Sequence, residues 1–237
     1  MDINELLNRY AAGDRTFYKL QLREAELTEV ALSGIDFSEA DLRQARLGKA
    51  NLNRASLRKA NLSEAILWGT DLSDANLYRA SLREADLSSA ILTHAYLDRA
   101  NFNKATLSGA NLSGASLIQA SLFEADLRPS SSQATDLQDA VLREADLSYA
   151  KLNHVVLRGA NLERATLCRA SLSRGMGSDL PATDLSEANL QGADLSYADL
   201  TGVNLKQANL KGSDLTGAIL TDANLQEAVM PDGTVYS

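Results

Sequence analysis

The sequence has 237 residues, 45% of them hydrophobic and only 5% aromatic. Its 31 acidic and 23 basic residues give a net charge of -8, which argues against a general affinity for nucleic acid or for anionic membranes. Most of the hydrophobic residues are Leu and Ala, whereas a conventional globular core carries more large rings and a wider mix of branched side chains. The composition therefore disfavours an ordinary globular core.

The start of the sequence lacks the features of a secretory signal, because Met1 is followed at once by Asp2 and Glu5 rather than by basic and then apolar residues. No apolar run approaches the roughly 18 residues that span a bilayer. The single cysteine, Cys168, has no partner for an internal disulfide. We therefore expect a soluble, cytoplasmic protein.

Residues 1–13 are predicted to form a short amphipathic α-helix. Asp2 and Glu5 have the spacing of a capping box, and Gly13 is a natural stop. The apolar residues fall on one face of this helix: Ile3, Leu6, Leu7, Tyr10 and Ala11. We expect the helix to cap the apolar end of the structure that follows, with a docking helix for a partner as the alternative.

Residues 14–237 are dominated by a period of five. With the centre of each quintet called position i, 42 of 43 centres between Phe17 and Met230 are Leu, Phe or Met, and Ser132 is the exception. Position i-2 is Ala in 31 of the 43 quintets. The substitutes at position i-2 include Val30, Ile35, Thr70, Val155 and Val203.

A period of five fits neither regular secondary structure. On an α-helix, successive leucines would step by about 140° and spread around every side. On a flat strand, an odd period sends alternate leucines to opposite faces. The pattern fits a chain that turns a corner in every quintet and keeps positions i and i-2 inside each time.

Quintets such as 60–64 (ANLSE) and 85–89 (ADLSS) follow the pattern A-(D/N)-L-x-x from about residue 15 to 230. In this pattern the sequence resembles the pentapeptide-repeat family, and its N-terminal helix and ending are similar to those of cyanobacterial members. The resemblance implies an all-β, right-handed quadrilateral β-helix with four quintets in each coil. The whole solenoid would then have about 10–11 coils stacked about 4.8 Å apart.

Two interruptions break the pattern, near residues 128–134 and 175–177. At the first, Leu127 and Leu137 keep the frame, and the quintet around Ser132 is either a degenerate side or a five-residue loop. At the second, Leu172 and Leu180 are eight apart, which we interpret as one quintet plus three inserted residues at 175–177. Both interruptions are candidate recognition loops, although small insertions are also tolerated without function.

The last residues, 230–237, are predicted to form a turn that ends the winding, since they begin with Met-Pro-Asp-Gly. Residues 234–236 are candidates for a short closing strand.

Charge is unevenly distributed along the chain. Residues 1–174 carry 21 basic and 22 acidic residues, whereas residues 175–237 carry 2 and 9. Residues 41–60 form a basic band with one acidic residue, which we interpret as solvated surface. The basic residues of this band are Arg43, Arg46, Lys49, Arg54, Arg58 and Lys59.

Three apolar residues are predicted to share one outer face over three successive coils, because residues 20 apart stack on the same side. They are Tyr78, Tyr96 and Ile118. This patch is the candidate contact surface for a protein partner or for weak self-association, and monomer and weak dimer remain open.

The sequence offers no recognisable set of catalytic, metal-binding or cofactor-binding residues. His94 and His154 lie 60 residues apart, which places them three coils, or on the order of 14 Å, from each other in an uninterrupted solenoid. Cys168 has no histidine placed to activate it, so we interpret it as an incidental thiol. We therefore expect no enzymatic activity and no cofactor.

Two functions fit these observations. The first is a structural or protein-interaction solenoid with a protein partner and no direct binding of nucleic acid or membrane. The alternative follows from the resemblance, because some pentapeptide-repeat proteins mimic DNA and bind type II topoisomerases such as gyrase. The acidic C-terminal third fits that alternative, whereas the basic band at 41–60 disfavours it.

Overall fold

The computed structural model describes residues 1–131, 133–174 and 180–237. One α-helix, α1 (Ile3–Ala11), is followed by single-residue parallel β-bridges rather than by long strands. Outside the two interruptions, bridged residues such as Thr16↔Asp36 are 20 apart, so four quintets complete each coil. We call the four sides 1 to 4, starting at Thr16, Gln21, Glu26 and Ala31. The chain is thus a repeat solenoid, and its right-handed sense of winding remains the expectation drawn from the resemblance.

The interior is filled by the two positions that the period of five predicts. Leu62 and Ala60, for example, are completely buried, and the same holds along the middle of the solenoid. Each coil is tied to the next through the backbone: the N–H of Leu62 donates to the carbonyl of Ser81, and the N–H of Asn61 donates to the carbonyl of Ala40. The core is therefore a column of stacked leucines edged by alanines, in which every coil contacts its neighbours.

The corners explain the Asp or Asn at position i-1. The carboxylate of Asp86 accepts a hydrogen bond from the backbone N–H of Ser88, two residues later, at 3.0 Å. This local bond stabilises the turn that leaves each side. The turn closes when the N–H of Ala90 donates to the carbonyl of Leu87, and its second central residue, Ser89, has a φ of 55°. Position i+2 therefore lies in the left-handed region along the chain.

The helix α1 lies against the first coils. Asp2 caps it by accepting from the N–H of Glu5 at 2.8 Å. Leu6 is completely buried in the solenoid core, and the hydroxyl of Tyr10 donates to the carbonyl of Ser33 at 2.8 Å. These contacts place the apolar face of α1 on the core, as a cap requires.

The first interruption is a loop rather than a degenerate side. In the regular register Asn111 would pair with Ser131, but its bridge partner is Asp136, one quintet later. The coil therefore closes without the quintet around Ser132, a residue that itself lies outside the described part of the chain. This resolves the alternative that the sequence left open.

The prediction for the second interruption is wrong in its length. The partners of the bridge Val156↔Asp184 are 28 apart rather than 20, so Leu185 instead of Leu180 fills the next side. Leu180 is 46% exposed and does not enter the core. The predicted slip at 175–177 lies outside the described residues. With the quintets of Ser132 and Leu180 removed from the coils, the solenoid has about ten coils.

The C-terminal end closes with an antiparallel bridge between Val229 and Val235. The turn between them forms when the N–H of Gly233 donates to the carbonyl of Met230 at 2.8 Å. The leucines of the last coil, Leu215, Leu220 and Leu225, are only partly buried.

Candidate functional site

The three residues of the predicted contact patch lie on side 1 in successive coils. The bridges Asn76↔Tyr96 and Tyr96↔Ser116 place them at neighbouring levels. Tyr96 is 58% exposed, and Tyr78 and Ile118 are half-buried. The three residues thus share one side of the solenoid, and the contact patch that the sequence assigns to them remains a prediction.

Backbone hydrogen bonds align the corner after side 1 into two columns. The N–H of Lys59 donates to the carbonyl of Tyr78, that of Arg79 to Asp98, and that of Arg99 to Ile118, at 2.9 to 3.0 Å. Three cations are thus stacked at position i+2 beside the patch: Lys59, Arg79 and Arg99. Two guanidinium groups also flank the Tyr78 ring, with the Cζ of Arg79 at 5.3 Å and that of Arg58 at 5.8 Å from the ring centroid.

The basic band at 41–60 is largely neutralised by carboxylates. Its pairs, mostly with neighbouring coils, are Arg43–Asp41, Arg46–Glu26, Lys49–Glu29, Arg54–Asp74 and Lys59–Glu39. The hydrogen bond from Arg43 lowers the pKa of Asp41. The band lies on the surface as the sequence predicted, but its charge is paired at every position except Arg58 within the described part of the chain.

Three arginines beside the patch lack such a carboxylate. Among the described residues, Arg58, Arg79 and Arg99 form no ion pair, and Arg99 instead donates to the side chain of Gln119 at 2.9 Å. Asp98, within the same corner, accepts from the hydroxyl of Ser116 and the N–H of Ile118. We call the whole set the aromatic–arginine surface, which consists of Arg58, Tyr78, Arg79, Tyr96, Arg99 and Ile118.

Both interruptions leave the solenoid at one corner, between sides 3 and 4. The first follows Leu127 and the second follows Leu172, with the unbroken turn of His154 between them. The described parts of the two loops line an open pocket of about 270 Å³, whose walls include Pro129, His154 and Pro181. The ring Nδ1 of His154 lies 2.6 Å from the carbonyl oxygen of Pro181.

Each loop is closed by a buried threonine at position i-2. The hydroxyl oxygen of Thr135 accepts from the N–H of Gly109 at 2.8 Å, and that of Thr183 accepts from the N–H of His154 at 2.8 Å. At regular corners a peptide carbonyl accepts this bond, as Ser108 does from Ser89. A threonine hydroxyl thus replaces the carbonyl that each loop removes.

These two buried threonines were not predicted from the sequence, although the sequence contains a repeated pattern that marks them. Residues 134–137 and 182–185 both read ATDL, directly after the two interruptions. The repeated tetrapeptide marks the two points where the chain re-enters the solenoid.

The histidines are further from a common site than the sequence suggested. The first loop takes one quintet out of the coils and so sets His154 back by one side, which leaves His94 after side 4 and His154 after side 3. Among the described residues, no three His, Cys, Asp or Glu side chains are grouped so that they could hold a metal ion. Within the same residues, no helix is long and apolar enough to cross a membrane.

The comparisons with known proteins agree with this architecture. The family described as pentapeptide repeats matches with eight copies, over residues 21–58, 55–93, 90–128, 135–174, 177–207 and 198–231. The chain belongs to the pentapeptide-repeat family. No curated protein matches the chain.

Two solved structures define its relatives more narrowly. The chain is 56% identical to HetL, a pentapeptide-repeat protein involved in the regulation of heterocyst differentiation in the cyanobacterium Nostoc sp. strain PCC 7120, with 100% of both chains covered and a TM-score of 0.98. QnrB1, a plasmid-mediated fluoroquinolone resistance protein, is 17% identical over 88% of this chain and 91% of that chain, with a TM-score of 0.51. The second likeness shows the fold alone.

Proposed function

We propose that this protein is a non-enzymatic, protein-binding solenoid that regulates cell differentiation in the manner of HetL. The observation that carries the proposal is the 56% identity to HetL over the full length of both chains. At a TM-score of 0.98, the two proteins share the whole solenoid rather than the repeat alone. A rigid stack of coils presents outer side chains at fixed spacing, which suits recognition of a partner surface.

The contact surface in this proposal is the patch of Tyr78, Tyr96 and Ile118. Tyrosines supply large contact area with few rotatable bonds, and they are enriched where proteins bind each other. The exposed ring of Tyr96 lies on a rigid backbone, so little conformational freedom is lost when a partner covers it.

DNA mimicry directed at a type II topoisomerase is the second candidate, and the 9 acidic against 2 basic residues of 175–237 favour it. The described carboxylates there point in several directions: Asp184 is on side 4, Asp194 on side 2 and Asp199 on side 3. This scatter gives no single anionic face, so we rank mimicry second. Inhibition of gyrase supercoiling by the purified protein at micromolar concentration would reverse that ranking.

The proposed function is tested in a heterocyst-forming cyanobacterium that overexpresses the protein. We expect the wild type to change the frequency of heterocysts, and the double variant Tyr78→Ser and Tyr96→Ser to lose most of that effect. Tyr197→Ser is the matched control, because Tyr197 is 56% exposed on another corner. Equal activity of the double variant and the wild type would exclude this patch, and an inert wild type would refute the regulatory role.

A further inference from the structure

The aromatic–arginine surface carries more positive charge than the neighbouring carboxylates neutralise. Most of the Lys and Arg side chains in the described residues lie within 4.0 Å of a carboxylate, in pairs such as Lys104–Glu124. Arg58, Arg79 and Arg99 form no such pair among the described residues. They are also close together, in three successive coils.

The stacking of these cations follows from the register of the solenoid. The residues one coil away from Arg79 are Lys59 and Arg99, so its ladder neighbours at position i+2 are both positive. At the coil spacing of about 4.8 Å, like charges repel rather than stabilise the stack. Elsewhere the same register produces attraction, as in the pair Lys49–Glu29, whose members are also one coil apart.

Other arginines without a carboxylate partner among the described residues do not form such a column. Arg164 follows side 1 and Arg169 follows side 2, so they lie on different corners. The ladder neighbour of Arg164 in the preceding coil is Glu144, which carries the opposite charge. The concentration of unbalanced positive charge is therefore a feature of the aromatic–arginine surface.

We infer that the aromatic–arginine surface binds an acidic segment of a partner protein that carries apolar side chains between its carboxylates. The guanidinium groups of Arg58, Arg79 and Arg99 would pair with the carboxylates, since guanidinium binds carboxylate through two parallel hydrogen bonds. The rings of Tyr78 and Tyr96 and the side chain of Ile118 would contact the apolar residues. This inference rests on the proposed protein-binding function and specifies the chemistry of the partner.

An acidic protein fits this surface better than nucleic acid does. Nucleic acid presents phosphate along its whole length, and the rest of this chain carries enough carboxylate to give a net charge of -8. The cationic region is bounded along its corner by Glu39 and Glu144, which pair with Lys59 and Gln119. One carboxylate among the described residues, that of Asp98, lies inside it, and its Oδ1 accepts hydrogen bonds from Ser116 and Ile118, which leaves the three arginines in excess. A short acidic segment can lie within those limits.

The test uses the full-length protein and a labelled dodecapeptide, (Asp-Glu-Leu)4, with (Asn-Gln-Leu)4 as the uncharged control, read by fluorescence anisotropy. We expect the acidic peptide to bind at 50 mM salt, and at least fivefold more weakly at 300 mM, because salt screens exposed charges. The double variant Arg79→Gln and Arg99→Gln should weaken binding at least fivefold. Glutamine is compatible with this backbone, since Gln44, Gln119 and Gln207 occupy the same turn position with φ of 57° to 59°.

The matched control is the double variant Lys206→Gln and Lys211→Gln, which removes the same charge at the other end of the solenoid. It should change the affinity less than twofold. Equal weakening by both double variants, or no binding of the acidic peptide, would overturn the inference. So would binding of a 20-base-pair DNA duplex or of vesicles with 30 mol% phosphatidylserine as tightly as the peptide.

The outcome is separable from that of the proposed function. Should the acidic peptide fail to bind while the variant of Tyr78 and Tyr96 loses its effect on heterocyst frequency, the regulatory role stands and the acidic partner is refuted. Should the peptide bind through Arg79 and Arg99 while the wild type leaves heterocysts unchanged, the acidic-segment surface stands and the role in differentiation is refuted.

Discussion

The hydroxyl oxygen of Thr183 lies 2.8 Å from the backbone nitrogen of His154 and accepts a hydrogen bond from it. At a regular corner a backbone carbonyl of the next coil accepts this bond, but here the chain leaves the coil as a loop. The same hydroxyl lies 2.6 Å from the carbonyl oxygen of Leu172, to which it donates. Thr183 is completely buried, so both bonds are shielded from water. One side chain thus satisfies a donor and an acceptor at the point where the solenoid is interrupted.

Replacing either re-entry threonine by valine is expected to destabilise the solenoid by about 1–3 kcal/mol, because a buried N–H loses its acceptor while the side-chain volume is kept. The variants are Thr135→Val and Thr183→Val, and the measurements are urea unfolding and amide exchange at Gly109 and His154. Thr221→Val, at an exposed position, is the control and should change stability by less than about 0.5 kcal/mol. Unchanged exchange at both amides would contradict the assigned role.

Truncating a central leucine should be costly. Leu112 is completely buried, and Leu112→Ala is expected to lower the free energy of unfolding by about 2–5 kcal/mol through lost burial and a residual cavity. The substitution Leu112→Asp should go further and unfold several coils, visible as lost β signal in circular dichroism. Ile219→Ala, at a residue that is 51% exposed, is the control. A melt of Leu112→Asp identical to that of the wild type would show that position i does not face the core.

At a left-handed turn position, substitution by glycine and substitution by valine should change the stability in opposite directions. Ser89 has a φ of 55°, a conformation that glycine adopts freely and that β-branched residues strongly disfavour. Ser89→Gly should therefore stabilise by up to about 1 kcal/mol, and Ser89→Val should destabilise by about 1–2 kcal/mol. Thr93→Val, at the neighbouring turn position i+1, provides the comparison for a β-branched residue. Thermal unfolding of the three variants checks the order, and equal melts for Gly and Val would refute it.

Acid should weaken the coil beside the first loop. Burial raises the pKa of Asp126, but hydrogen bonds from Arg128, together with the charges of Arg128 and Lys151, leave it below the usual 3.8. Because the folded pKa is depressed, the stabilisation is fully present above the unfolded pKa and is lost as the pH falls through the folded value. The melting temperature of the wild type should therefore exceed that of Asp126→Asn at pH 6, and the difference should shrink below pH 4.

The variant Arg128→Gln tests whether Arg128 is what lowers the pKa of Asp126. Its guanidinium contacts the Asp126 carboxylate at 2.6 Å, so its removal should reduce the pH-dependent part of the difference. A difference between wild type and Asp126→Asn that stays constant from pH 6 to pH 2.5 would exclude an ionised, stabilising Asp126.

The fold could be predicted from the sequence because the residue types within each quintet determine which of its side chains are buried. Leucine at position i and alanine at i-2 specify the inward residues locally, so the pattern of burial around Leu62 or Leu112 needed no long-range information. The number of sides did not follow from the period. It came from the resemblance, and the bridges that join each residue to the one four quintets later then gave the same four sides.

The insertions were harder, for a physical reason. Leu180 has the residue type of a core position, and a leucine in a loop cannot be distinguished from one in the core by type alone. Its neighbour at i-2 is Ser178 rather than alanine, as it is Ser130 for the quintet of Ser132, but Ser213 holds the same position before Leu215 inside a regular coil. Buried Thr70 and Ser213 show that the coils also accept polar residues at i-2, so the residue type there does not identify the loops.

The candidate surface was only half predictable. The positions of Tyr78, Tyr96 and Ile118 followed from a spacing of 20. That Arg79 and Arg99 form no ion pair among the described residues is seen only when the side-chain contacts of every Lys and Arg are compared. Arg79 and Arg99 precede the first loop, so a spacing of 20 gives their stacked neighbours, but it does not show which carboxylates those neighbours contact.

The two loops leave and re-enter at one corner, and the bridges on either side resume the regular spacing of four quintets. Loop length is consequently uncoupled from the register of the stack: residues added there alter neither which leucines meet inside nor which side chains line up outside. Segments of different length can therefore be inserted at this corner without changing the packing or the register of the coils.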